Sequence, residues 1–168
     1  IPNTSHSSVA ELTFGLILCL LRKINIADSQ LRKNIWKKPE LYGNSLFGKT
    51  IGIIGIGKIG ACVADIAKGF NMKVLATAEK IDNKRKSLWK EKGIELIELD
   101  NLLEFSDIVS LHVPLNKITE NLINIDKLKL MKKSSFLINL SRGRIVNEQD
   151  LLFILKKNII AGYATDVF

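Results

Sequence analysis

The sequence predicts an α/β fold, a doubly wound parallel sheet preceded by a long helix. Three observations carry that prediction. Six short apolar runs show no polar alternation, the pattern of strands buried on both faces. Helical stretches separate successive runs, which is how parallel strands are joined. The third is "GIGKIG" between the first run and the helix after it, at the place where such sheets bind ligands.

Taken in order, residues 5–34 read as one long helix. Ser7 or Ser8 caps it, Glu11 sits in its first turns, and apolar residues run almost all round as far as Leu21. A helix apolar on so many faces is expected to be buried between domains or subunits. "WKKPELYGNSLFGK", punctuated by Pro39, Gly43 and Gly48, reads as a loop. Strands are expected at "IGIIG" (51–55), "KVLAT" (73–77), "IELIE" (94–98), "IVSLHV" (108–113), "SFLINL" (135–140) and "IIAGYATDV" (159–167). Helices are expected near 58–70, 82–92, 99–105, 120–132 and 148–157. Six strands at this spacing fit the order 3-2-1-4-5-6 of the Rossmann dinucleotide-binding fold. Residues 1–168 are read as one such domain, with 1–34 as a linking or interface helix.

Composition narrows the function classes. The chain is 46% hydrophobic and 25% charged, the balance of a globular protein. Its net charge of +8 comes mostly from lysines scattered among apolar residues. They read as solvated faces whose field favours anionic ligands. No basic run is interleaved with stacking aromatics, so no nucleic-acid partner is expected. Cys19 and Cys62 lie in apolar helical contexts and read as reduced thiols, which points to the cytoplasm. With two Cys and two His so far apart, no metal site is expected. "VAELTFGLILCLL" contains Glu11 and is too short to span a bilayer, so no membrane role is expected. The start on Ile1-Pro2 and the stop on Val167-Phe168 read as those of a fragment or excised domain.

Each glycine of the loop has a distinct task. Gly55 allows a tight turn, Gly57 leaves room for a pyrophosphate, and Gly60 lets the helix pack close to the strand. Lys58, Ile59 and Gly60 open that helix, whose free N–H groups and positive dipole end face the phosphates. The motif alone also fits a structural turn or another nucleotide-like ligand. Arg142 follows an apolar run at the carboxyl edge of the sheet, where a guanidinium can grip a carboxylate with two hydrogen bonds and polarise a carbonyl. The alternative is a surface ion pair with Asp150 or Glu148. Arg144 reads as solvent-facing or pocket-lining, and His6 is given no role.

Five blocks in order resemble the NAD-binding domain of the D-isomer-specific 2-hydroxyacid dehydrogenases. They are "SHSSVAELTFGLIL", "LFGKTIGIIGIGKIG", "SDIVSLHVPLNKITENLIN", "MKKSSFLINLSRGRIVNEQDL" and "AGYATDVF". The resemblance implies that Arg142 is catalytic. It implies that Val113, Pro114, Leu140 and Ser141 contact the cofactor, and that Asp166 hydrogen-bonds the nicotinamide carboxamide. His112 is then structural or cofactor-lining, not the catalytic acid. The family mechanism also needs a Glu and a His, expected beyond Phe168, and a substrate domain that this chain does not carry. The polypeptide is therefore expected to bind cofactor yet turn over no 2-hydroxy acid alone. The substrate of the whole enzyme is a small anionic acid, and the assembly a homodimer with the long helix near its interface.

Two stretches, "ELYGNSL" and "AGYATDVF", also resemble phosphite (phosphonate) dehydrogenases. Phosphoglycerate dehydrogenase and glyoxylate/hydroxypyruvate reductase stand beside that reading. A non-catalytic NAD-sensing corepressor module and a different Rossmann reductase are the competing classes. The family's ribose-binding acid falls on Ala78, with Glu79 one residue late and Lys80 after it. Glu79 standing in for that acid selects NAD. Its displacement, with Lys80, Lys84 or Arg85 on a 2′-phosphate, admits NADP.

Overall fold

A computed structural model describes residues 5–79 and 82–168. The first helix, α1 (Ser5–Leu21), buries Ala10, Phe14, Ile17 and Leu21, an i, i+4, i+7, i+11 stripe. The single helix expected over 5–34 is broken. Lys23 takes a left-handed conformation at φ 54°, and α2 (Ile24–Arg32) starts after it, with no buried residue. The cause is tertiary. Asn44 N–H donates to the Leu21 carbonyl at 2.9 Å. The chain comes so close there that a Cβ on Gly43 would stand 2.3 Å from the same oxygen. Ser7 and Ser8 lie inside α1 rather than at its cap. The expected loop holds a 3-10 turn at Lys38–Leu41, tied to α2 by Lys23 Nζ donating to the Glu40 carbonyl at 2.8 Å.

From β1 (Thr50–Ile54) strands and helices alternate: α3 (Lys58–Gly69), β2 (Lys73–Thr77), α4 (Asn83–Glu91), β3 (Ile94–Leu96), α5 (Leu99–Phe105) and β4 (Ile108–Leu111). Then come α6 (Ile125–Leu130), β5 (Phe136–Asn139), α7 (Glu148–Lys156) and β6 (Gly162–Thr165). The sheet is parallel throughout, in the order β3-β2-β1-β4-β5-β6, as the spacing predicts. Two cores flank it. One joins α1 and α3 to Ile51, Ile53, Val74 and Ile108. The other joins α5, α6 and α7 to Ile54, Val109, Leu111 and Leu137. Neighbours such as Ile108 and Val109 thus bury on opposite faces, which explains the unbroken apolar runs.

Several expected elements are trimmed at their ends, and two are much shorter. The helix placed at 120–132 begins only at Ile125, where the Asn124 side chain accepts Lys127 N–H at 3.1 Å, because Ile123 is taken up in a parallel bridge to Val146. The strand placed at 159–167 pairs with β5 only over Gly162–Thr165. A second 3-10 turn, Gly143–Ile145, follows β5.

Asp107 fastens the amino ends of the three central strands. Its carboxylate accepts Thr50 N–H at 2.8 Å and Lys132 Nζ–H at 3.0 Å. Its N–H donates to the Thr50 carbonyl, and its carbonyl accepts Phe136 N–H. Burial pushes this carboxyl up, but the Thr50 N–H and Lys132 outweigh it and hold it below its ordinary value of 3.8. A depressed carboxyl stabilises the fold above that value and loses its contribution as pH falls through the lower, folded one. Asp107→Ala is expected to cost about 2 kcal/mol near neutral pH, read as a lower urea midpoint at unchanged slope.

Candidate functional site

A parallel sheet brings the carboxyl ends of all its strands to one edge, and the candidate residues gather there. Gly55, at φ 99°, donates its N–H to the Thr77 carbonyl at 3.0 Å and so ties the loop to the end of β2. His112 N–H donates to the Ile54 carbonyl at 2.7 Å, tying the end of β4 to the same loop. A Cβ on Gly55 would stand 2.5 Å from the His112 carbonyl oxygen, so position 55 needs glycine for backbone angle and for space. A Cβ on Gly60 would stand 2.3 Å from the Gly55 oxygen, where α3 rests against the loop. A Cβ on Gly57 would meet nothing within 4 Å. The first hydrogen bond at the start of α3 runs from Ala61 N–H to the Gly57 carbonyl, which leaves the N–H groups of Lys58, Ile59 and Gly60 at the open helix end.

Beside this loop lies a cleft of about 630 Å³. Of the predicted residues, Gly55, Gly57, Ala78, Glu79, Val113 and Pro114 line it, with His112. Ala78 is half-buried and Glu79 exposed. Arg85 of α4 also lines the cleft, and its N–H donates to the N-cap Asp82 at 2.8 Å. Lys80 lies outside the described residues. The cleft also has an apolar wall that the sequence reading missed: Leu88 and Trp89 of α4, Leu96, Leu99, Ile118 and Leu122. The available signal was an apolar residue inside a polar run, Leu88 in "RKSLWKEK" and Ile118 in "NKITEN". An open helix start beside a half-apolar cleft has the features needed to hold an extended ligand with a phosphate and an aromatic end.

Lys58, Ile59, Gly60, Leu140, Ser141, Arg142 and Asp166 are not among the cleft's lining residues. The last four follow β5 and β6 along the same sheet edge. Arg142 is exposed with an extended backbone, and its Nη1–H donates to the Ser141 carbonyl at 2.6 Å. It pairs with no carboxylate among the described residues. Asp150 instead accepts Ile125 N–H at 2.9 Å at the start of α6, so it is not engaged with Arg142. Arg144 pairs with Glu120 and is mostly exposed, the solvent-facing reading. Asp166 is exposed just past β6. His112 is half-buried, with Nε2 at 2.8 Å from the buried Ser110 Oγ. Burial pushes its imidazole down to about 4, so it is neutral near pH 7. Among the described residues no group of three or more His, Cys, Asp or Glu is placed to hold a metal, and no helix is long and apolar enough to cross a membrane.

Residues 14–168 match the family described as D-isomer specific 2-hydroxyacid dehydrogenase, NAD binding domain. The glyoxylate reductase of Thermofilum pendens is 43% identical over 175 residues, covering 99% of this chain and 50% of that protein. The D-lactate dehydrogenase from Aquifex aeolicus, complexed with NAD and lactic acid, superposes with a TM-score of 0.90 at 37% identity, over 100% of this chain and 50% of that one. An acyclic imino acid reductase (Bsp5) in complex with NADPH and D-Arg superposes with a TM-score of 0.88 at 38% identity, over 98% and 52%. The chain spans about half the length of the curated relatives it matches.

The neutral His112 carries a pH signature. Unfolded, it binds a proton near the ordinary 6.5; folded, it does not until about 4. Stability is therefore lost as pH falls from 6.5 to 4 and levels off below, by up to about 3 kcal/mol. His112→Gln should lose that component of the slope in urea titrations across this window. Equal slopes in both proteins would contradict the assignment.

Proposed function

The chain belongs to the NAD-binding domain of the D-isomer specific 2-hydroxyacid dehydrogenases, and on that premise we propose that it is the cofactor half of an enzyme that reduces a small 2-oxo acid to the D-2-hydroxy acid. The observation that carries the reading is Arg142, an exposed guanidinium with no carboxylate partner among the described residues, on the same sheet edge as the glycine loop and cleft. The similarity to glyoxylate reductases supports a substrate as small as glyoxylate.

In this reading the bound nicotinamide dinucleotide supplies the hydride. The N–H groups of Lys58, Ile59 and Gly60 hold its pyrophosphate, with space left by Gly57. Ala78 and Glu79 meet the ribose. Val113 and Pro114 border the cofactor from the end of β4, and Leu140 and Ser141 from the end of β5. Asp166 accepts a hydrogen bond from the carboxamide and sets the ring face. Arg142 binds the substrate carboxylate and stabilises the charge that develops on the carbonyl oxygen. The proton comes from a His–Glu pair of the whole enzyme. His112, neutral near pH 7 and bonded to Ser110, lines the cleft instead. The working form is a homodimer, a reading supported by the exposed Leu12, Trp36 and Tyr42, and the free Cys19 and Cys62 support a cytoplasmic setting.

The experiment is steady-state reduction of glyoxylate by the enzyme built on this chain. Arg142→Ala is expected to lower kcat/KM by about 100- to 1,000-fold while NADH affinity stays near wild type. Activity retained in that variant would contradict the reading. For cofactor choice, Glu79 takes the part of the ribose acid. Glu79→Ala should weaken NAD several-fold and improve NADP, measured by fluorescence titration. NAD binding no worse and NADP no better would remove Glu79 from that role.

A further inference from the structure

Beyond the residues assigned so far, a polar clamp at the end of β5 holds the turn that carries Arg142. Asn139, the last residue of β5, is 0% exposed. Its Nδ2–H donates to the Arg142 carbonyl at 2.9 Å, and its Oδ1 accepts Ser141 N–H at 3.1 Å. The turn is then fastened to both neighbouring strands. Ser141 Oγ–H donates to the Leu111 carbonyl at the end of β4, at 2.6 Å. Thr165 Oγ–H, at the end of β6, donates to the Asn139 carbonyl at 2.8 Å and accepts Val167 N–H at 3.1 Å. Ile145 N–H closes the far side onto the Arg142 carbonyl at 3.3 Å.

We propose that Asn139 is a positioning residue for Arg142, holding the Ser141 N–H and the Arg142 carbonyl so that the guanidinium stands at a set place on the sheet edge. The inference rests on the reading of Arg142 given above. Three observations lead to it. Among the described residues no carboxylate aims Arg142, and its guanidinium bonds only the Ser141 carbonyl beside it, so its backbone decides where its head group goes. An apolar side chain would suit the buried end of a strand, whereas a buried amide is costly unless both its donor and its acceptor are used. Asparagine supplies both on one short side chain, and here the two partners are the residue before Arg142 and Arg142 itself. The same clamp joins the ends of β4, β5 and β6, so the position of Arg142 is fixed relative to the loop after β4 and to Asp166 after β6.

The test uses the whole enzyme with glyoxylate and NADH. Asn139→Ala is expected to lower kcat/KM by about 30- to 100-fold, mainly through a higher KM for the oxo acid, with the Kd for NADH changed less than about 2-fold. Added to Arg142→Ala, it should cause no further loss, because it acts only through that arginine. Asn139→Asp keeps the size and the acceptor and settles the matter if the alanine variant does not fold. At pH 8 it should be as impaired as the alanine variant. Its activity relative to wild type should recover as pH falls, when the protonated carboxyl regains a donor for the Arg142 carbonyl. Losses that add to those of Arg142→Ala, NADH affinity falling in step with kcat/KM, or an Asn139→Asp ratio flat with pH would overturn the proposal. Wild-type activity in Arg142→Ala would overturn the functional reading and this inference with it. A large loss in Arg142→Ala, with none in either Asn139 variant, would overturn the positioning role alone.

Discussion

Where α3 meets the end of β1, a Cβ on Gly60 would stand 2.3 Å from the Gly55 carbonyl oxygen. The rest of the sheet edge depends on that close approach. It lets the helix begin directly above the turn, so its unbonded N–H groups open beside the cleft instead of being lifted away by a side chain. Gly55 meets two further demands, a backbone angle of φ 99° and a carbonyl of His112 2.5 Å from where a Cβ would be. Through these contacts the ends of β1, β2 and β4 form one backbone-bonded unit. Gly57, with open space where its side chain would be, leaves that unit accessible.

The opposite edge of the sheet serves this arrangement. Asp107 fastens the amino ends of β1, β4 and β5 through Thr50, Lys132 and Phe136, and so fixes the register on which the carboxyl ends depend. A parallel sheet has no tight hairpins to set register, and backbone and side-chain bonds at strand ends do that work. At the carboxyl edge, Asn139, Ser141 and Thr165 play the corresponding part for β4, β5 and β6.

Much of this was legible in the sequence because it is local. Each strand is buried on both faces, so its apolar run marks it, and the positive φ of Gly55 and the contact of Gly60 with the Gly55 carbonyl are set within the loop itself. The strand order followed from the alternation of elements. Long-range effects were not legible. The break at Lys23 depends on Gly43 and Asn44, twenty residues away, capping the Leu21 carbonyl. The apolar wall of the cleft was hidden because α4 reads as a basic, solvated helix, yet Leu88 and Trp89 turn toward the cleft. Asn139 and Thr165 fall inside the expected apolar runs 135–140 and 159–167, where nothing local marks them. Only strand pairing brings the Thr165 hydroxyl to the Asn139 carbonyl.

On this reading a nicotinamide dinucleotide lies across the open start of α3 and along the cleft to Glu79. Amide chemical shifts of the chain, titrated with NADH, test it most directly. The largest changes are expected at Gly57, Lys58, Ile59 and Gly60, with Glu79 and Val113 shifting in the same titration at a common Kd. Saturable NADH binding that leaves those amides in place and moves a different surface would contradict it.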